Sequence, residues 1–176
     1  AEISMVNAEY TPRELGVLFG IAEPDLVLAG GQNATVAGAT AGSIGKPLAI
    51  VGEGGIAIEQ LLETPPERPG LEITGESPCI IMFTGGSTGA PKGVRRSQSS
   101  EMSCIKAMQT AWPTRLYEEV WLNVAPVSHV WGLHMGCFNP VYGRAPLVIV
   151  PRFQPDVTAG LMEKHRVSVF SGGPAA

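Results

Sequence analysis

The chain has 176 residues, enough for one domain with a buried core or for part of a larger one. Its formal net charge is -4 and only 16% of residues are charged, so no basic field invites nucleic acid or an anionic membrane surface. No apolar run approaches the length needed to cross a bilayer and no leader pattern opens the chain, which makes a cytoplasmic protein the expectation. The low charge has two readings, an ordinary apolar domain or a piece whose surface packs against further segments, and a first residue Ala1 in place of methionine makes a chain processed or cut from something longer the expectation. Cys79, Cys104 and Cys137 are odd in number, widely spaced and without C-x-x-C spacing, so neither a disulfide framework nor a zinc site is expected.

In chain order, Thr11-Pro12-Arg13-Glu14 has the form of a helix start, with Thr11 as cap, Pro12 in the first turn and Glu14 closing a capping box. Leu15, Leu18, Phe19 and Ala22 follow at the spacing of one buried face. Pro24-Asp25 ends that helix and Leu26 to Ala29 reads as a strand. Gly30 to Gly45 shows small residues without periodicity and is expected to be a loose surface connection. A strand is expected over Leu48 to Val51, a short helix over Ile56 to Leu62, and a linker begins at Thr64 with Pro65, Pro66 and Pro69. The organisation expected is an upstream α/β segment over 1–63, a linker over 64–78 and a phosphate-loop β-α segment over 79–176.

Cys79 to Phe83 has the length and bulk of a buried strand, and it breaks into Thr84-Gly85-Gly86-Ser87-Thr88-Gly89-Ala90-Pro91-Lys92-Gly93. Glycines there let several backbone N–H groups face one anion, Ser87 and Thr88 add hydroxyl donors, and Lys92 adds a mobile positive charge. This is not a Walker A loop, because Ala90 and Pro91 separate Gly89 from the lysine and a glycine follows it. Downstream, Arg95 and Arg96 read as a solvated pair, and Ser99 or Ser100 as the cap of a helix burying Met102, Ile105, Met108 and Trp112. Val120 to Ala125 is the next strand and delivers Pro126-Val127-Ser128-His129-Val130-Trp131-Gly132-Leu133. His134, five residues after His129, cannot share its helix face and is expected in the core or at its boundary. Pro146 to Val150 reads as a strand buried on both faces, Pro155 starts a helix with Val157 and Leu161 inward and His165 in its last turn, and Val167 to Phe170 is a last strand. The repeated β-α order predicts an α/β fold with a mostly parallel layered sheet and flanking helices.

The loop resembles the signature of the adenylate-forming superfamily of acyl-CoA synthetases, luciferases and peptide-synthetase adenylation domains, written [YF]-T-S-G-[ST]-T-G-x-P-K-G. Phe83, Thr84, Gly86, Ser87, Thr88, Gly89, Pro91, Lys92 and Gly93 match it, and Gly85 stands where serine is usual. Asn7 and Thr11 to Leu15 resemble the family's upstream turn and T-P-x-E-L helix, and Pro126, His129, Gly132 and Leu133 its P-L-x-H-x-x-G-L element.

The resemblance implies a Rossmann-like part of an N-terminal AMP-binding domain. In the whole enzyme, ATP with Mg2+ activates a small-molecule carboxylic acid as acyl-AMP, with release of pyrophosphate, and CoA then takes the acyl group. It places Thr84, Gly85, Gly86, Ser87, Thr88, Gly89 and Lys92 on the ATP phosphates, gives Lys92 and His129 catalytic roles, and sets His129, Val130 and Trp131 against the acyl group, with no metal ligand assigned. For Trp131 plain helix packing is an equal reading. The family's adenine, ribose and C-terminal lysine motifs are not found before Ala176. The resemblance therefore implies a fragment, inactive alone, whose partners are the rest of its N-terminal domain and a C-terminal domain. Two alternatives stay open: a non-catalytic ATP- or phosphate-binding module, and an amino-acid or aryl-acid adenylation domain.

Overall fold

The computed structural model describes residues 1–52, 60, 63, 70–85, 90–115 and 118–172. The helix expected over Ile56 to Leu62 and the stretch Thr64 to Pro69 lie almost wholly outside those residues, as does the end of the tail from Gly173. Two compact units alternate along the sequence. One comprises Val6–Thr74 with Phe83–Val94, the other Ala1–Met5, Gly75–Met82 and Arg95–Ala176.

In the first unit Thr11 caps helix α1 (Pro12–Ala22) as expected, its hydroxyl accepting the Glu14 N–H at 3.3 Å while the Glu14 carboxylate accepts the Thr11 N–H at 2.7 Å. Those bonds, the backbone one first and the Thr11 hydroxyl second, hold the Glu14 carboxyl below its usual range. Because the folded value lies below the unfolded one, the bonds add stability above the unfolded value and lose it as pH falls through the folded value. Thr11→Ala should therefore move the Glu14 titration part of the way back upward in an NMR pH series; an unmoved titration would refute the reciprocal cap. Leu15 and Phe19 bury against Val27, Ala37 and Ala41, each large apolar side chain contributing about 2 kcal/mol by leaving water.

Strands β2 (Val27–Gly30) and β3 (Leu48–Val51) pair in parallel, Val27 opposite Leu48. Between them Gly30 to Gly45 is not a loose connection. A 3-10 turn (Gly31–Asn33) leads into helix α2 (Ala34–Ser43), in which Ala37, Thr40 and Ala41 are buried. Alanine is the best helix former, and small side chains let the helix approach the strands closely: a Cβ on Gly38 would lie 3.4 Å from Leu48 Cδ2. The buried face is spelled in residues too small to register as hydrophobic periodicity.

The remaining described strands form two three-stranded sheets. Strand β4 (Pro78–Thr84) lies between β1 (Ile3–Ser4), parallel to it, and β5 (Lys92–Ser97). Strand β6 (Trp121–Asn123) lies between β7 (Leu147–Ile149) and β8 (Val169–Ser171), parallel to both. The α/β class and the parallel pairing are therefore as expected, while β5 replaces an expected loop. Helices α3 (Gln98–Ala111), α4 (Val130–Leu133), α5 (Asn139–Tyr142) and α6 (Pro155–His165) complete the second unit, with a five-residue π-turn (His134–Phe138) between α4 and α5.

Several faces differ from expectation. α3 is capped by Ser97, whose hydroxyl accepts the Ser100 N–H, and not by Ser99 or Ser100. It buries Ile105 and Glu101, whereas Met102 and Trp112 are exposed, because a carboxylate with partners can take an inward position that apolar periodicity alone would not assign. β7 is an edge strand with Ile149 exposed, and the strand buried on both faces is the central β6. In α6 Thr158 is buried and Leu161 half-buried, whereas Val157, expected inward, is exposed. All three cysteines are half-buried free thiols. Among the described residues no helix is long and apolar enough to cross a membrane.

Candidate functional site

Thr84 closes β4 and Lys92 opens β5, so the glycine-rich loop joins two neighbouring strands of one sheet. A Walker A lysine sits at a helix start; this one begins a strand, which agrees with the spacing that set the two loops apart. Thr84, Gly85 and Lys92 are all exposed, and Gly86, Ser87, Thr88 and Gly89 lie outside the described residues. A Cβ added at Gly85 meets nothing within 4 Å, so the departure from serine there is not forced by packing.

His129, Val130 and Trp131 belong to the other unit and form the mouth of α4. His129 is the cap of that helix: its Nδ1 accepts the Trp131 N–H at 3.2 Å. A neutral imidazole that accepts at Nδ1 carries its proton on Nε2, so the free edge of the exposed ring is a hydrogen-bond donor. Val130 and Trp131 are 47% and 44% exposed, which places neither in the core of this unit and leaves both as apolar surface beside that donor. His134, by contrast, is buried, as its spacing from His129 requires.

What holds this mouth in place was not visible in the motif. Asn123, completely buried at the end of β6, donates from Nδ2 to the Ala125 carbonyl at 3.1 Å and to the Gly132 carbonyl at 3.3 Å, while its Oδ1 accepts the Ala125 N–H at 3.0 Å. One amide thus ties the strand end to both ends of the loop that carries His129. Gly132 and Gly136 are the complement: a Cβ on Gly132 would sit 2.2 Å from the Pro126 carbonyl oxygen, and one on Gly136 would sit 2.1 Å from Asn123 Cγ. Leu133 anchors the same helix in the apolar cluster of Ile80 and Met82. An asparagine at a strand end followed by glycines at +9 and +13 is the available sequence signal, weak without the fold.

Arg96 is also not the solvated residue expected. Its guanidinium bonds the carboxylate of Glu101, which is buried and also bonded to His134. Arg95 pairs with Glu2 at 2.8 Å on the surface.

The sequence profile described as AMP-binding enzyme matches residues 1–176. The long-chain-fatty-acid–CoA ligase of Bacillus subtilis is 30% identical over 117 residues, which are 65% of this chain and 20% of that protein. The long-chain-fatty-acid–CoA ligase FadD13 of Mycobacterium tuberculosis is 25% identical over 173 residues, 97% of this chain and 34% of that protein. The chain thus spans between a fifth and a third of the length of these two relatives. In fold it is similar to ATP-bound MatB from Rhodopseudomonas palustris, with a TM-score of 0.80 at 22% identity over 96% of this chain and 33% of that one. With the parallel α/β architecture, the loop between β4 and β5, the His129 cap and a profile match along its full length, the chain belongs to the AMP-binding enzyme family.

Proposed function

We propose that this chain supplies the phosphate-loop and acid-orienting part of an ATP-dependent acid–thiol ligase. The reaction begins when a carboxylate oxygen attacks the α-phosphorus of ATP. An O–P bond forms, the α–β bridging P–O bond breaks, and pyrophosphate leaves. A thiol, that of CoA in this reading, then attacks the acyl carbon; its proton passes to solvent and AMP departs as the acyl C–O bond breaks. Magnesium enters with ATP as part of the co-substrate, and no residue of the chain is given a metal role.

In the first step negative charge grows on the leaving pyrophosphate, and preorganised donors aimed at that charge are worth most. Lys92 and the N–H groups of residues 84–89 are assigned to it. His129 is assigned to the carboxylate, and the observation that carries this is its Nδ1 bond to Trp131, which leaves Nε2–H as an outward donor. The exposed Val130 and Trp131 beside it are assigned to the apolar part of the acid. Chain 1–176 alone is expected to form no acyl-AMP, since the family's adenine, ribose and lysine motifs are not in its sequence.

The test is acid-dependent ATP–pyrophosphate exchange by the natural protein that carries this chain, with acetate, malonate, 4-coumarate and hexadecanoate as probes. Exchange with one of them, and a KM for that acid raised about tenfold or more in His129→Ala, is the expected result. ATP binding that depends on Lys92 but supports no exchange with any acid would favour a non-catalytic phosphate-binding module instead.

A further inference from the structure

Away from the phosphate loop and the His129 mouth, the proposed reaction gives no role to two buried carboxylates of the second unit: Glu119, which bonds the exposed Arg115 and the Trp121 indole, and Glu101. Glu101, 3% exposed in the first turn of α3, has one carboxylate oxygen 2.6 Å from His134 Nε2, and the other accepts a hydrogen bond from Arg96 Nε. His134 is 4% exposed, and its ring lies 5.6 Å from that of Phe138. Arg96 also reaches the Ser100 carbonyl at 3.4 Å, so β5, α3 and the π-turn meet at one carboxylate.

Taking such a group out of water costs free energy that its partners only partly return, and apolar residues of similar size are often as stabilising. Stability alone therefore gives little reason for the triad. The best-attested use of a buried polar group is to fix register, and a register that needs fixing is present here. His134 opens the π-turn, a rare hydrogen-bonding pattern that competes with the ordinary α-helical one. A slip of this turn to α-helical register would rotate His134 away from Glu101 and shift the short helix before it. That helix, α4, has four residues and begins directly after His129.

We infer that the Arg96–Glu101–His134 triad, buried at Glu101 and His134, is a positioning device for His129: it holds the π-turn in register and so fixes the direction in which α4 presents the His129 Nε2–H to the acid. Arg96, Glu101 and His134 touch no substrate in this scheme. They act through α4, in concert with the Asn123 bond to the Gly132 carbonyl at its other anchor. The inference rests on the acid-orienting role proposed for His129.

The experiment compares the wild type, His129→Ala, His134→Gln and the double variant Glu101→Met/His134→Leu in the natural protein, measuring ATP–pyrophosphate exchange with the acid among acetate, malonate, 4-coumarate and hexadecanoate that the wild type uses best. The double variant should raise the KM for the acid about tenfold or more and leave the KM for ATP within about twofold. His134→Gln, whose amide can still donate to Glu101, should keep the acid KM within about threefold of wild type. An unchanged acid KM in the double variant overturns the inference, as does a rise in His134→Gln as large as in the double variant. Should the double variant not fold, the isosteric Glu101→Gln decides in its place: a raised acid KM with an unchanged ATP KM is expected, and an unchanged acid KM overturns the role. Failure of the ligase reading is separate, because it appears as absent exchange in the wild type or an unchanged acid KM in His129→Ala, and it removes this inference with it.

Discussion

Lys92→Ala in the natural protein should lower acid-dependent ATP–pyrophosphate exchange by about 10²- to 10³-fold, the usual cost of losing one preorganised charge-stabilising donor. Its melting temperature should stay at the wild-type value. The two expectations come from the same geometry. Lys92 is exposed at the first position of β5, so no core contact is lost on truncation, and exposed substitutions of this kind usually stay within about 0.5 kcal/mol. If the side chain follows charge onto the departing pyrophosphate, the loss falls mainly on kcat, with a smaller effect on the KM for ATP. Arginine should rescue poorly, because a planar fork does not replace a compact ammonium on a flexible stem. An exchange rate within threefold of wild type, measured at saturating ATP and acid, would remove Lys92 from the chemistry and with it the main charge assigned to the loop.

The parts of the fold that a reader of the sequence could find are those whose information is local. The Thr11 cap and its Glu14 partner lie three residues apart, and the bonds form as the spacing requires. The strand before the glycine-rich loop ends at Thr84, where the glycines begin, and the strand over Leu48 to Val51 has the expected bounds. His129 could be singled out because Pro126, Gly132 and Leu133 around it resemble the family's P-L-x-H-x-x-G-L element.

The features that escaped depend on partners distant in sequence. Glu101 lies inward with Arg96 and with His134, 33 residues later, as its partners; of the expected inward stripe Met102, Ile105, Met108 and Trp112, Ile105 is buried while Met102 and Trp112 are exposed. Likewise β5 reads as a polar loop, Lys92-Gly93-Val94-Arg95-Arg96-Ser97, because its strand character comes from lying beside β4 and not from its own side chains. Helix α2 escaped for a third reason: its buried surface is made of Ala37, Thr40 and Ala41, and shape rather than hydrophobicity fits it against β3. The site follows the same division. The residues assigned to ATP and acid stand in contiguous motifs, whereas Asn123 and the triad that support them are assembled from separate elements.

Gly132→Ala should be a severely damaging substitution, small as the change is. Its new Cβ would lie 2.2 Å from the Pro126 carbonyl oxygen and 2.7 Å from the Ala125 carbonyl oxygen, and both obstacles are backbone. Neither can turn aside as a flexible side chain would. Asn123 ties Ala125 and the Gly132 carbonyl to the same amide, so moving the loop away from α4 strains or breaks those bonds at a completely buried polar group. The expected cost is about 3 kcal/mol or more, read as a lowered urea midpoint with an unchanged slope. Gly20→Ala is the contrast. It too lies in a helix, but an added Cβ meets nothing within 4 Å, so it should stabilise by up to about 1 kcal/mol through helix propensity alone. Where Gly132→Ala still folds, the displaced loop carries His129 with it, and the KM for the acid should rise more than the KM for ATP. A Gly132→Ala protein with wild-type stability and acid KM would mean that the loop from Ala125 to His129 is not held against α4 as described, and that His129 owes its direction to something other than this bracket.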